Sequence, residues 1–212
     1  FQHLHDHAEV LLTRRGAQAE ALDYFFTHLQ PGDILPAVVQ NPASFGTFCD
    51  IGCGVTALMS IERCSVSRIT HCNQRFSPGQ KIYVSILSLD REAQRINLTH
   101  RELLGTWAEN AAGFRAGQAV TGIVRSIKPY GVFIELTPNL SGLAEPDDSL
   151  TPGQLVSVYI RSILPDKQKM KLTVLEKLDS RHVPPQLLRY YRTVGRLDRW
   201  EYAPGSAAVT VF

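Results

Sequence analysis

A chain of 212 residues, 44% hydrophobic and 20% charged, has the balance of a folded protein, and its formal net charge of +2 is far from the dense cationic stripe that grips duplex DNA. No apolar run approaches the ~20 residues that span a bilayer, and the start lacks a charged segment leading into an apolar one, so a cytoplasmic protein without membrane contact is expected. The chain opens at Phe1 rather than Met, which suggests that sequence precedes it.

In chain order, residues 1–29 read as helix. Asp6 and Glu9 have capping-box spacing, Ala8, Leu11 and Leu12 and then Leu22, Phe25, Phe26 and Leu29 form apolar faces, and Gln30-Pro31-Gly32 ends the pattern. His3, His5 and His7 alternate, which splays them over different helix faces and argues against a metal site. Residues 34–39 and 45–51 read as a hairpin, 55–60 as a third strand, 62–74 as a mixed loop with a helical turn, and 81–89 and 94–99 as two further strands. Thr99 and Glu102 again have capping-box spacing, and Leu104, Trp107, Ala108 and Ala111 repeat at helical intervals until Gly113. This amphipathic connector is expected to bury Trp107 and to hold its neighbours at a fixed orientation. Strand signals resume over residues 119–174. Pro184-Pro185 then precedes a short helical stretch over 186–192 and a hairpin of 196–202 with 207–212 about Pro204-Gly205.

The strands form a repeat. At an offset of about 85 positions, Pro31-Gly32-Asp33 falls on Ala116-Gly117-Gln118, Val38-Val39 on Ile123-Val124, Phe45-Gly46-Thr47-Phe48 on Tyr130-Gly131-Val132-Phe133, and Ala57-Leu58 on Gly142-Leu143. After a loop present in the first copy alone, Pro78-Gly79-Gln80 meets Pro152-Gly153-Gln154 and Arg95-Ile96-Asn97-Leu98 meets Lys169-Met170-Lys171-Leu172. Cys49, Cys53, Cys64 and Cys72 all lie in the first copy, at spacings foreign to a zinc finger. Cys49 instead sits where a strand turns a small apolar residue to the core. No metal, cofactor or catalytic constellation is read from the sequence.

The ordered set of an aromatic-Gly-x-Phe strand, Ala/Gly-Leu on the next, Pro-Gly-Gln, and a close on Asp90-x4-Arg95-Ile96-x-Leu98 resembles the S1 RNA-binding domain, an oligonucleotide-binding (OB) barrel. The tandem arrangement resembles the small proteins related to bacterial ribosomal protein S1. The resemblance implies a mainly β fold of two five-stranded S1-type barrels joined by a short helix. Its segments are an N-terminal helical piece (1–30), the first barrel (31–99), the connector (100–113), the second barrel (114–176) and a C-terminal helix and hairpin extension (177–212).

It also implies a binding surface for single-stranded RNA, where exposed rings stack on bases and cations meet phosphates. Phe45 and Phe48 match the family's aromatic pair; strict alternation would put them on opposite faces, so a bend or bulge near Gly46 is expected. Ser60 takes the place of the His common on the third strand. Asp90 and Arg95 match the acidic and basic pair, as RNA contacts or as a hairpin salt bridge. In the second copy Tyr130, Phe133 and Lys169 keep the aromatic and basic positions, while Glu145 falls at the third-strand site and would repel phosphate, making the first copy the better RNA candidate. Arg63, Arg68, His71 and Arg75, in the extra loop, either extend a positive track or are solvated charges. The tail interleaves Arg181, Arg189, Arg192, Arg196 and Arg199 with Tyr190, Tyr191, Trp200 and Tyr202, which suits RNA or, as the favoured alternative, a hairpin burying its rings on the second barrel.

The expected function is therefore non-enzymatic binding of single-stranded RNA, messenger RNA in translation, with the 30S ribosomal subunit as a further candidate partner. Two alternatives stand beside it: a protein-interaction module docking on the ribosome or another partner, and the accessory RNA-binding piece of an RNA-processing enzyme.

Overall fold

The computed structural model describes residues 14–179 and 188–212. The capping pair Asp6 and Glu9, the alternating histidines and Pro184-Pro185 lie outside the described residues.

Helix α1 (Arg14–His28) lays Leu22, Phe25 and Phe26 against the first core, as their three- and four-residue spacing demands, and Gln18 anchors it by donating to the Gly54 carbonyl at 2.8 Å. Strands β1 (Ile34–Pro42), β2 (Gly46–Asp50), β3 (Thr56–Ser60), β4 (Lys81–Asp90) and β5 (Arg95–Thr99) then close into a barrel in the order β1-β2-β3-β5-β4. Closure comes from a parallel contact of β3 with β5, where Leu58 faces Asn97. Alternation sends Val39, Cys49, Met59, Val84, Ile86 and Leu98 inward, all essentially without solvent contact. Full closure leaves no unpaired sheet edge.

The second barrel repeats this plan with β6 (Ala119–Lys128), β7 (Gly131–Thr137), β8 (Leu140–Ala144), β9 (Leu155–Leu164) and β10 (Lys169–Lys177), in the equivalent order β6-β7-β8-β10-β9 and with a parallel β8–β10 contact at Leu143 and Lys171. Even the irregularity recurs. The ladder slips between Val39 and Asn41 in β1 and between Val124 and Ser126 in β6, one bulge at equivalent places in the two copies.

The connector is less helical than its spacing suggests. Thr99 bonds the Glu102 carboxylate, but only a single 3-10 turn (Arg101–Leu104) follows, and Gly105, at φ 85°, breaks the chain direction. The true capping box is Thr106 with Glu109, opening α2 (Trp107–Ala111). Trp107 is buried in the second core.

Residues 188–192 are irregular rather than helical, and Tyr190 and Tyr191 are each drawn into a seam. The Tyr190 hydroxyl lies 3.0 Å from His100 Nε2, and the Tyr191 backbone N–H donates to the Leu103 carbonyl at 2.9 Å. Gly195 and Leu197 then exchange backbone bonds with residues 32–34 of the first barrel. The terminal hairpin forms as its turn signal indicates, β11 (Arg199–Glu201) with β12 (Val209–Val211), and Tyr202 packs on the second core. The tail thus straps both barrels.

Candidate nucleic-acid interface

Outside the first barrel, β2, β3 and β5 carry three rows of side chains. Register sets Phe48 beside Leu58 and Leu58 beside Asn97 in the middle row; Asp50 and Thr56 lie at one end, and Gly46 with Ser60 at the other. Phe45 precedes β2, in a bend, so it escapes strand alternation and turns outward, 57% exposed. Its ring centroid is 6.0 Å from that of Phe48 at 73°, an edge-to-face pair. The irregularity expected near Gly46 is thus a bend at Ser44-Phe45, and the bulge of this hairpin lies in β1, across the ladder from Phe48. Gly46 is required for a different reason, since a Cβ there would meet the Met59 carbonyl oxygen at 2.4 Å.

The second barrel reproduces the arrangement. Tyr130, 66% exposed in the β6–β7 turn, meets Phe133 at 6.1 Å and 89°, and Phe133, Leu143 and Lys171 form the middle row. Two residues back on β10, Lys169 falls in the row of Glu135 and Ser141, and both lysines are exposed. Glu145 forms an exposed ion pair with Arg161 at 2.9 Å, which partly offsets its charge. Leu58, Leu143 and Lys171 are face positions that the motif comparison missed; strand alternation from Phe48 and Phe133 would have exposed them.

The other candidates divide. Ser60 is exposed at the Phe45 end of the face. Asp90 faces Arg95 across the β4–β5 ladder without an ion pair, and its Oδ1 accepts the Ala93 N–H at 2.9 Å, shaping the hairpin that presents Arg95. Arg68 is exposed and forms no ion pair among the described residues, and His71, half-buried, accepts the Asn73 N–H at Nδ1. Arg63 turns away from the face, donating to Thr210 at 3.1 Å beside the buried Glu102.

Arg75 also turns inward. Its guanidinium grips Glu135 of the second barrel bidentately, at 2.7 and 2.9 Å, while Arg125, at the β6 bulge, grips the same carboxylate at 2.7 and 3.0 Å. Burial alone would raise the Glu135 pKa, but the two guanidiniums overcome it and hold the group below its ordinary range. The same loop joins the barrels at Ser67, whose hydroxyl lies 2.7 Å from that of Ser141, and at Val66, whose N–H donates to Asn139. The fully buried Asn139 amide also donates to the Arg101 and Gly105 carbonyls. The sequence signal for this clasp is Glu135 itself, a carboxylate flanked by Val132, Phe133, Ile134 and Leu136 within the strand Gly131–Thr137.

The four cysteines are not gathered into one cluster. Cys53 is exposed in the β2–β3 turn; Cys64 and Cys72 are buried with their sulfurs 3.6 Å apart, and burial pushes the Cys49 thiol up to about 12.

Residues 28–101 match the family model described as the S1 RNA binding domain. The first barrel is an S1 domain. The second S1-like barrel shares its strand order, its parallel closure and its bulge. The small ribosomal subunit protein bS1 of Staphylococcus aureus is 30% identical over 190 residues, 82% of this chain and 48% of that protein. The bS1 homolog of Bacillus cereus is 29% identical over 174 residues, 76% of this chain and 45% of that protein. The chain therefore spans about half the length of the curated relatives it matches. A solved multidomain protein with nucleic acid binding domains from Streptococcus pneumoniae aligns at 16% identity and a TM-score of 0.35, over 70% of this chain and 54% of that one.

Proposed function

We propose that the chain binds single-stranded RNA on the outer aromatic faces of both S1-type barrels, as a cytoplasmic, non-catalytic protein acting in translation. The observation that carries the proposal is the duplicated ring pair, 6.0 Å apart in one barrel and 6.1 Å in the other, on the outside of a domain of RNA-binding type. Phe45 and Tyr130 stack on bases, each such contact contributing about 1–3 kcal/mol. Arg95, Lys169 and Lys171 meet phosphates, Ser60 offers one hydrogen bond, and Asp90 orders the Arg95 hairpin. The 30S subunit is the partner suggested by relatives named as small ribosomal subunit proteins, and messenger RNA is the strand proposed for the faces.

Fluorescence anisotropy of labelled oligo-U tests this. Affinity should fall with salt, with a log–log slope near −2 for about three phosphate contacts at ~0.7 each. Phe45→Ala/Phe48→Ala should weaken binding roughly tenfold or more while leaving the circular dichroism spectrum intact. Salt-independent association, or an unaffected double variant, would favour a protein-docking module in its place.

A further inference from the structure

We propose that the two aromatic faces join head to tail into one RNA track that crosses residues 68–71, so that a single strand keeps one 5′-to-3′ sense across both barrels; this rests on the RNA-binding function proposed above. On the first barrel the face runs from the Arg95 end, through Phe48, Leu58 and Asn97, to Ser60 and Phe45. The extra loop starts at that last row, where the Ile61 N–H donates to the Phe45 carbonyl, and returns to it, where the Cys72 N–H donates to the Ala43 carbonyl at 3.0 Å.

Between those roots at Ser67, and just past the second of them at Arg75, the chain touches the second barrel on the same outer surface that carries Phe133. Ser67 meets Ser141, and Arg75 meets Glu135, residues that pair with each other across β7 and β8 one row beyond Phe133 and Leu143. Two residues along a strand span about 7 Å. The row under the loop is the one equivalent to Asp50, Thr56 and Arg95 in the first copy. The Phe45 end of one face thus abuts the Lys169 end of the next.

From Ser67 to Cys72 the chain spans at most about 17 Å. Its outward residues there are Arg68 and Thr70, exposed, with His71 half-buried beside them. A cation therefore sits at the seam where a strand would leave one barrel for the other. Because the Arg75–Glu135 pair, Asn139 and the tail fix the barrels together, the second binding step is intramolecular with a set geometry.

The test uses the full chain with oligo-U of about 4 and about 12 nucleotides, and a 12-mer whose central linkage is 3′–3′ so that its halves run in opposite senses. The 12-mer should bind at least ~100-fold tighter than the tetramer, the inverted 12-mer should lose at least ~10-fold of that gain, and Arg68→Glu should weaken the 12-mer several-fold more than the tetramer. Equal affinity for the normal and inverted 12-mers, with the tetramer still bound, would overturn the shared track and leave RNA binding in place. Failure of all three to bind at low salt would overturn both.

Discussion

His100 has no solvent contact, and its hydrogen bonds fix its tautomer. The Cys64 carbonyl, 2.8 Å from Nδ1, can only accept, so Nδ1 carries the proton and Nε2 accepts from the Tyr190 hydroxyl, which in turn accepts the Tyr83 N–H. Burial pushes the His100 pKa down to about 4. Above pH ~6.5 the ring is neutral in both folded and unfolded chains and stability is flat; as pH falls from ~6.5 towards 4 the unfolded chain alone takes up the proton, and up to about 3 kcal/mol is lost. Urea denaturation across pH 4–8 should show this slope, and His100→Gln should flatten it. Glu135, whose pKa is depressed, adds a further loss at lower pH, as its carboxylate is protonated. Neither partner of His100 was legible in the sequence. Its contacts come from residues 36 and 90 positions away, and no local pattern encodes a seam that exists only after the tail has docked.

Loop 61–76 shows the same limit at the scale of an element. Its cations were visible in the sequence, but a linear pattern does not say whether an arginine faces water or a carboxylate in another barrel. Arg68 is exposed and Arg75 is buried against Glu135. Arg75→Met would leave Glu135 buried with one guanidinium instead of two, and should cost about 3–5 kcal/mol, lowering the melting temperature by roughly 10 °C. The Arg75→Met/Glu135→Leu double variant should recover part of that loss, a cycle readable by calorimetry, although Arg125 then loses its partner. The connector makes a second case. Gly105 holds a backbone conformation suited to glycine, and an added Cβ would sit 2.5 Å from the Tyr191 ring, so Gly105→Ala should destabilise by about 1–3 kcal/mol and loosen the tail to proteolysis. Strand positions, in contrast, followed directly from alternation and from the Pro-Gly-Gln turns.

Over the whole molecule the repeat made the barrels legible. Internal similarity at a fixed offset carries strand order with it, and both barrels close in one topology. What the repeat does not carry is how the two copies meet, because the clasp is made by the loop that one copy lacks and by the strap that follows both. The functional consequence lies there: two S1-type faces held in one orientation present a composite surface instead of two independent sites. Ultraviolet cross-linking of oligo-U to the intact chain, with the modified peptides identified by mass spectrometry, tests RNA binding at these faces most directly. Cross-links are predicted at Phe45 or Phe48 and at Tyr130 or Phe133 in the same sample; adducts confined to other surfaces, or none at low salt, would contradict it.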